Sequence, residues 1–260
     1  MRRRTMITRR IRVITFDLWN TIYSTDGPTA SAVRQRRLRL LAEVLAEHGR
    51  QPTEEELEQA YRSGFDAYMA AWTSGRHFGA REQVLHILDC FAVPELAIDR
   101  EAVTRSARAI EDAARLAPPS LLPGAREAIP TLAAAGYRLG LISDTSLTPG
   151  RVLREFLDKD GLAACFGAFT FSDELGLPKP DPRMFQTTLA QLGTAPGYAA
   201  PPHSAAHIGD TPRTDIAGAQ ALGMLAIRYT AVNDHADPPP ADFVIKDHRD
   251  LLPLLARLNG

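Results

Sequence analysis

Cysteine is almost missing from this chain: Cys90 and Cys165 are the only two among 260 residues. They lie far apart and match no metal-ligand spacing, and their scarcity fits a reducing compartment. Long apolar runs are absent too, none approaching the ~20 residues that span a bilayer. Charge of one sign is not in excess, since the formal net charge is −1, so electrostatics give no case for nucleic acid as the main partner. Lysine is scarce: only Lys159, Lys179 and Lys246 occur, and none lies between 25 and 118. Basic positions elsewhere are almost all arginine, so a lysine embedded in GLPKPDP is unlike surface decoration.

The N-terminus, MRRRTMITRRIR, is strongly basic. A secretory signal needs ~7–15 apolar residues after its charges. Here the apolar stretch is short and runs straight into Asp17, so the expectation is a frayed basic leader, or a start at Met6, on a cytoplasmic protein. At this length the chain is one large domain or a core with a sizeable insertion.

IRVITF at 11–16 is apolar and β-branched, the texture of a parallel strand covered on both faces. From about Thr29 to Leu116 the periodicity turns helical and rich in Ala, Leu, Arg and Glu, with Gly49, Gly75 and Pro94 dividing it into about four helices. Thr53, followed by Glu54, Glu55 and Glu56, predicts a capped helix start. Pro118 and Pro119 close this block. A helix over Gly124–Ala135 and strands at Tyr137–Ile142, Ala168–Phe171, Ala206–Ile208, Leu225–Ile227 and Phe243–Ile245 then resume an alternation that predicts a doubly wound parallel sheet. The expected organisation is an α/β core at 1–24 and 119–260 with an inserted all-α cap at 25–118. Ligands of open parallel sheets bind beyond the carboxyl ends of the strands. Asp17, Ser143 and Asp210 each follow an apolar strand, so all three are expected on that edge, beneath the insertion.

Four local signatures carry the chemistry: VITFDLWNTIY at 13–23, LGLISDTS at 139–146, GLPKPDPRMF at 176–185 and HIGDTPRTDIAGAQALG at 207–223. A carboxylate after one strand, a hydroxyl after another, a lone lysine and a pair of aspartates are the equipment for Mg²⁺-assisted phosphoryl transfer. Asp17 is the candidate nucleophile, since a carboxylate attacking phosphorus splits one difficult transfer into two easier ones. Asp210 and Asp215 supply the hard oxygen donors that Mg²⁺ requires, although Asp215 alone could also be a helix cap. The order and spacing of these signatures resemble the haloacid dehalogenase superfamily, over roughly 11–24 and 120–250.

The resemblance implies a catalytic set of Asp17, Ser143 and Lys179. It implies Mg²⁺ held by Asp17, Asp210 and the main-chain carbonyl of residue 19, here Trp19, with Asp215 nearby. Thr21, expected to orient the Asp17 loop, is a candidate substrate contact together with Asp144 and Thr145. Asp144 stands where many members have asparagine. The lysine acts as a point charge against nucleophile and phosphate.

One position departs from the pattern. Trp19 sits where phosphatases of this resemblance carry the aspartate that protonates the leaving alcohol and activates water, help worth ~10²–10⁴ in rate. Four readings follow. A 2-haloacid dehalogenase tolerates an aromatic there, because halide leaves without a proton, but such enzymes lack the metal motif seen here. A phosphonatase needs a cap lysine, and the insertion contains none. A phosphatase or phosphotransferase can act on a small phosphorylated metabolite with a good leaving group, or borrow an acid from Asp66, His77 or Tyr23. A binding module would retain the fold without chemistry. Substrate identity and oligomeric state are not written in any motif of the insertion. The arginines of Arg34-Gln35-Arg36-Arg37-Leu38-Arg39 spread around a helix and predict a solvated face. Arg76, His77 and Arg81, near the Gly75 and Gly79 breaks, are candidates to face the core.

Overall fold

The computed structural model describes residues 10–24, 30–193, 201–234 and 237–260. The basic leader before Arg10 and the first junction of the insertion, 25–29, lie outside the described residues.

Strand β1 (Val13–Phe16) is followed by the four helices of the insertion, α1 (Ala30–Glu47), α2 (Glu54–Thr73), α3 (Ala80–Cys90) and α4 (Arg100–Asp112). The chain then alternates: α5 (Ala125–Ala134), β2 (Arg138–Ser143), α6 (Gly150–Lys159), β3 (Phe166–Phe171), the single turn α7 (Ser172–Leu175), α8 (Pro182–Leu192) and β4 (Ala205–Gly209). The last elements are α9 (Ala217–Ala221), β5 (Leu225–Tyr229), β6 (Phe243–Ile245) and α10 (Leu251–Asn259). The six strands form one parallel sheet in the order β3-β2-β1-β4-β5-β6, an α/β doubly wound architecture.

Strand β1 shows why the apolar run reads as it does. Ile14 and Phe16 point into one cluster with Ile129, Leu153, Ile227 and Leu251. Val13 points into the opposite cluster with Met184, Phe185 and Ile216. A strand covered on both faces has no polar side to show. The insertion has a hydrophobic cluster of its own, built from Leu41, Leu45, Val84, Ile87, Val103 and Ile110. Its α2 begins at the cap expected at Thr53, and the cap is a full capping box: the Thr53 side chain accepts from Glu56 N–H while Glu56 accepts from Thr53 N–H.

Residues 17–24 and 118–122 carry the chain between sheet and insertion, and they are tied to each other. Ser24 N–H donates to Ser120 O at 2.9 Å, and Leu122 N–H donates to Ile22 O at 2.8 Å. Arg37 departs from the solvated face expected for its helix. Burial lowers its guanidinium, which donates to Ile110 O, to Leu147 O and to Thr148 Oγ1 of the loop after β2. No described helix is long and apolar enough to cross a membrane.

Candidate active site

The sheet order places the site. Strands β2, β1 and β4 are neighbours, with Phe16 in register with Leu141 on one side and Ile208 on the other. Asp17 extends that ladder by donating its N–H to Ile208 O at 2.8 Å, so its side chain leaves the sheet edge in a fixed direction. Ser143 ends β2, and Asp210 follows β4 directly. Lys179 arrives from the segment between α7 and α8.

Lys179 Nζ donates to Asp17 Oδ1 and to Asp215 Oδ1, at 2.6 Å each. Oxygens of Asp17, Asp210 and Asp215 all lie within 4.8 Å of one another. Asp17 is 5% exposed, Lys179 2% and Asp210 6%. Gly209 makes this packing possible, since a Cβ there would fall 2.3 Å from Asp215 Cγ. Asp215 is the best held of the three. Its Oδ2 accepts Thr211 N–H at 3.0 Å, and its Oδ1 also lies 3.2 Å from His207 Nε2.

His207 and its partner Thr15 are residues that the sequence reading passed over. Burial lowers the imidazole, keeping it neutral. Nε2–H then faces Asp215, and Nδ1 accepts from Thr15 Oγ1 at 2.9 Å. A histidine at the centre of an apolar strand was the available signal.

The electrostatics are uneven. Burial pushes the Asp17 carboxyl well above the usual carboxylate range; Lys179 opposes this, while Asp215 and Asp210 add to it. Asp210 is pushed up to about 6, by burial first and Asp215 next. Burial would raise Asp215 as well, but Lys179 and His207 outweigh it and hold that carboxyl low. Burial would also discharge Lys179, yet Asp17, Asp215 and Asp144 together keep its ammonium charged. One buried cation therefore faces three buried carboxylates, and they are not all comfortable as anions.

Asp144 is tied up on both sides. Its Oδ1 accepts the Lys179 main-chain N–H at 2.8 Å, and its Oδ2 accepts Trp72 Nε1–H at 2.8 Å from the insertion. Ser143 Oγ donates to Asp144 O at 3.3 Å. Thr145 Oγ1 donates to Asp173 Oδ1 at 3.0 Å, and its N–H donates to Ser172 Oγ at 2.8 Å. Thr21 is fully buried. Its carbonyl accepts His248 Nε2–H at 2.7 Å, while its Oγ1 has no partner among the described residues. Trp19 is half-buried and packs against the cluster below the sheet.

The insertion contributes a roof of aromatics. Trp72 and Tyr68 stack with an interplanar angle of 11°, and Phe78 meets Tyr68 edge-on. Tyr68 is pushed up to about 12, by burial and then by the charge of Asp144. His77 Nδ1 lies 3.3 Å from Ser172 Oγ, so it does face the core, whereas Arg76 and Arg81 are exposed. Of the other proposed proton donors, Asp66 is exposed, and the Tyr23 hydroxyl donates a hydrogen bond to Asp160 Oδ2 at 2.7 Å.

Comparison with known proteins places the chain in a family. Over 256 residues, 96% of this chain and 92% of the relative, the sequence is 28% identical to haloacid dehalogenase-like hydrolase domain-containing protein 3 of Mus musculus. It is 31% identical over 145 residues to glyceraldehyde 3-phosphate phosphatase of Pyrococcus furiosus, covering 54% of this chain and 56% of that one. A solved structure of 2-haloacid dehalogenase from Pseudomonas syringae pv. Tomato DC3000 superposes with a TM-score of 0.65 at 26% identity, covering 95% of this chain and 99% of the other. The description of the haloacid dehalogenase-like hydrolase family matches residues 11–223, well over half of the sequence. The chain belongs to the haloacid dehalogenase-like hydrolase family.

Proposed function

We propose that this protein is a Mg²⁺-dependent phosphatase or phosphotransferase for a small phosphorylated metabolite, working through an aspartyl-phosphate on Asp17. The observation that carries this reading is the charge imbalance: three buried carboxylates within 4.8 Å share one buried ammonium. Isolated buried anions are costly, and an all-oxygen donor set of this kind suits a hard divalent cation. Asp17, Asp210 and the main-chain carbonyl of Trp19 would hold the ion. Asp215, whose oxygens already serve Lys179, His207 and Thr211, would stand behind them. When bound, Mg²⁺ supplies positive charge against the phosphoryl oxygens.

The chain's own residues divide the remaining work. A carboxylate oxygen of Asp17 attacks phosphorus, and the bond from phosphorus to the leaving oxygen breaks with its electron pair on that oxygen. Lys179 offsets the charge carried between Asp17 and the phosphoryl group. Ser143 offers a hydroxyl donor to a phosphoryl oxygen. Water then attacks the aspartyl-phosphate and releases inorganic phosphate, or an acceptor alcohol takes the phosphoryl group.

Trp19 cannot protonate the leaving oxygen, the Tyr23 hydroxyl is engaged by Asp160, and His77 Nδ1 is engaged by Ser172. Substrates whose leaving groups need no proton, acyl or aryl phosphates, therefore fit best. The helical insertion 25–118 acts as the cap over this site. The phosphatase name carried by the Pyrococcus furiosus relative supports the reaction class.

A 2-haloacid dehalogenase is the second reading, favoured by the superposition with that enzyme and by the aromatic residue at 19. The charge census weighs against it, because a departing halide would enter a site that already holds excess negative charge. The test is turnover of p-nitrophenyl phosphate, acetyl phosphate, a hexose phosphate and 2-chloropropionate, each with Mg²⁺ and with EDTA. The expected result is Mg²⁺-dependent release of phosphate from the first two, with the hexose phosphate slower by ~10². Metal-independent halide release from 2-chloropropionate would overturn it.

A further inference from the structure

We propose that Asp144 is a positioning residue that couples closure of the helical insertion to the placement of Lys179, with Trp72 as the insertion's half of the latch. The role given to Lys179 rests on the reading above; the latch itself rests on geometry.

Asp144 follows the last residue of β2 and has two oxygens with two different partners. One takes the main-chain N–H of Lys179 at 2.8 Å, and the other takes the indole N–H of Trp72 at 2.8 Å. Trp72 lies in the last turn of α2. Its ring is also covered from the core side by the Arg213 guanidinium, 4.1 Å from the ring centroid. Arg213 belongs to the segment between Asp210 and Asp215. A single indole thus touches the segment after β2 and the segment after β4, and through Asp144 it reaches the lysine segment. Those are three of the four loops that build the site.

This arrangement needs two acceptors on one side chain. Asparagine would keep one acceptor, but its amide would present N–H to the indole N–H, two donors facing each other. Aspartate meets both partners. Its half-buried carboxylate accepts from each N–H, so losing the indole leaves one oxygen without its partner. With Trp72 in place, Asp17 and Asp210 are 5% and 6% exposed. In this latch the indole leaves Asp144 to admit substrate and returns after it. The same carboxylate then reports closure to the lysine segment.

Two measurements test this independently of any substrate. In the Trp19→Phe background, Trp72 is the sole tryptophan, and acrylamide quenching of its emission reads its exposure. The latch predicts a shielded indole whose quenching constant rises severalfold on adding Asp144→Asn. Urea unfolding of Asp144→Asn, Trp72→Phe and the double variant then closes a cycle. The latch predicts that the double variant loses less than the sum of the singles, by about tenfold in the unfolding constant, because phenylalanine removes the N–H that opposes the amide. On p-nitrophenyl phosphate, Trp72→Phe should restore part of the kcat lost in Asp144→Asn. A freely quenched Trp72 beside intact Asp144, or strictly additive losses, would overturn the latch even in an active enzyme. A protein inactive on phosphates but shielded and non-additive would retain the latch and overturn the phosphatase reading instead.

Discussion

Asp17, Ser143 and Asp210 reach the site from the ends of three adjacent strands, whereas Tyr68, Trp72 and His77 reach it from one helix and the turn after it. The two groups are specified in different ways. A parallel sheet forces strand ends onto one edge, so a residue that follows a strand has little choice of position. A helical residue faces whatever its helix packs against, and that depends on the whole insertion. The charged groups that form or hold the buried cluster all come from the sheet side, and the insertion adds aromatic surface and hydrogen-bond donors. Under the function proposed above, the core performs the chemistry and the insertion governs access.

The largest expected effect comes from the core. Asp17→Asn removes the attacking anion while keeping its shape, so turnover of p-nitrophenyl phosphate should fall to background. The fold should survive, because burial already disfavours the charge at that position. Wild-type turnover in this variant, with a normal circular dichroism spectrum, would make Asp17 structural and break the division.

Trp19→Asp comes next and sharpens it. A carboxylate placed two residues beyond Asp17 should raise hydrolysis of hexose phosphates by up to ~10² while changing acetyl phosphate turnover little. Steady-state kinetics on both substrates give the ratio. An unchanged ratio would mean that a residue of the insertion already supplies the proton, and chemistry would no longer belong to the core alone.

Metal binding should follow pH in a defined direction. The Asp210 carboxyl, ordinarily near 3.8, is pushed up to about 6, so it favours the folded state below its ordinary value and loses that benefit as pH rises through about 6. Above that point it is an anion in want of a cation. The rise in Tm caused by millimolar Mg²⁺ should therefore be larger at pH 7.5 than at pH 5. Differential scanning fluorimetry at the two pH values checks the sign, and an equal shift at both would remove Asp210 from the metal site.

The smallest effect should come from the insertion. Thr53→Ala removes the side-chain half of the α2 capping box and should cost about 1 kcal/mol in urea unfolding. Turnover of p-nitrophenyl phosphate should stay within twofold of the parent's. A loss of turnover as deep as that of Asp17→Asn would show that the chemistry depends on the helix that carries Trp72.

The same division explains what could be read from the sequence. Residues 11–16 announced a strand buried on both faces, and the strand-following positions of Asp17, Ser143 and Asp210 announced a shared edge. Lys179 stood out because lysine is so rare. Trp72 and Tyr68 were not legible, because nothing in the helical periodicity of α2 says which side meets the sheet. His207 was hidden for the opposite reason: inside an apolar strand its role appears only once Asp215 is folded back against it. Arg37, counted with a solvated face, is instead drawn to carbonyls at Ile110 and Leu147. Asp144 was visible as a departure from the usual asparagine, but its reason lies in a tryptophan seventy-two residues earlier.

The central claim is that Asp17 carries a phosphoryl group during turnover, and mass spectrometry tests it most directly. The protein is mixed with acetyl phosphate and Mg²⁺, quenched in acid, digested and mapped. The account predicts one phosphoryl group on the peptide containing Asp17, absent with EDTA and absent in Asp17→Asn. An unmodified Asp17 peptide from protein that is releasing phosphate would contradict it.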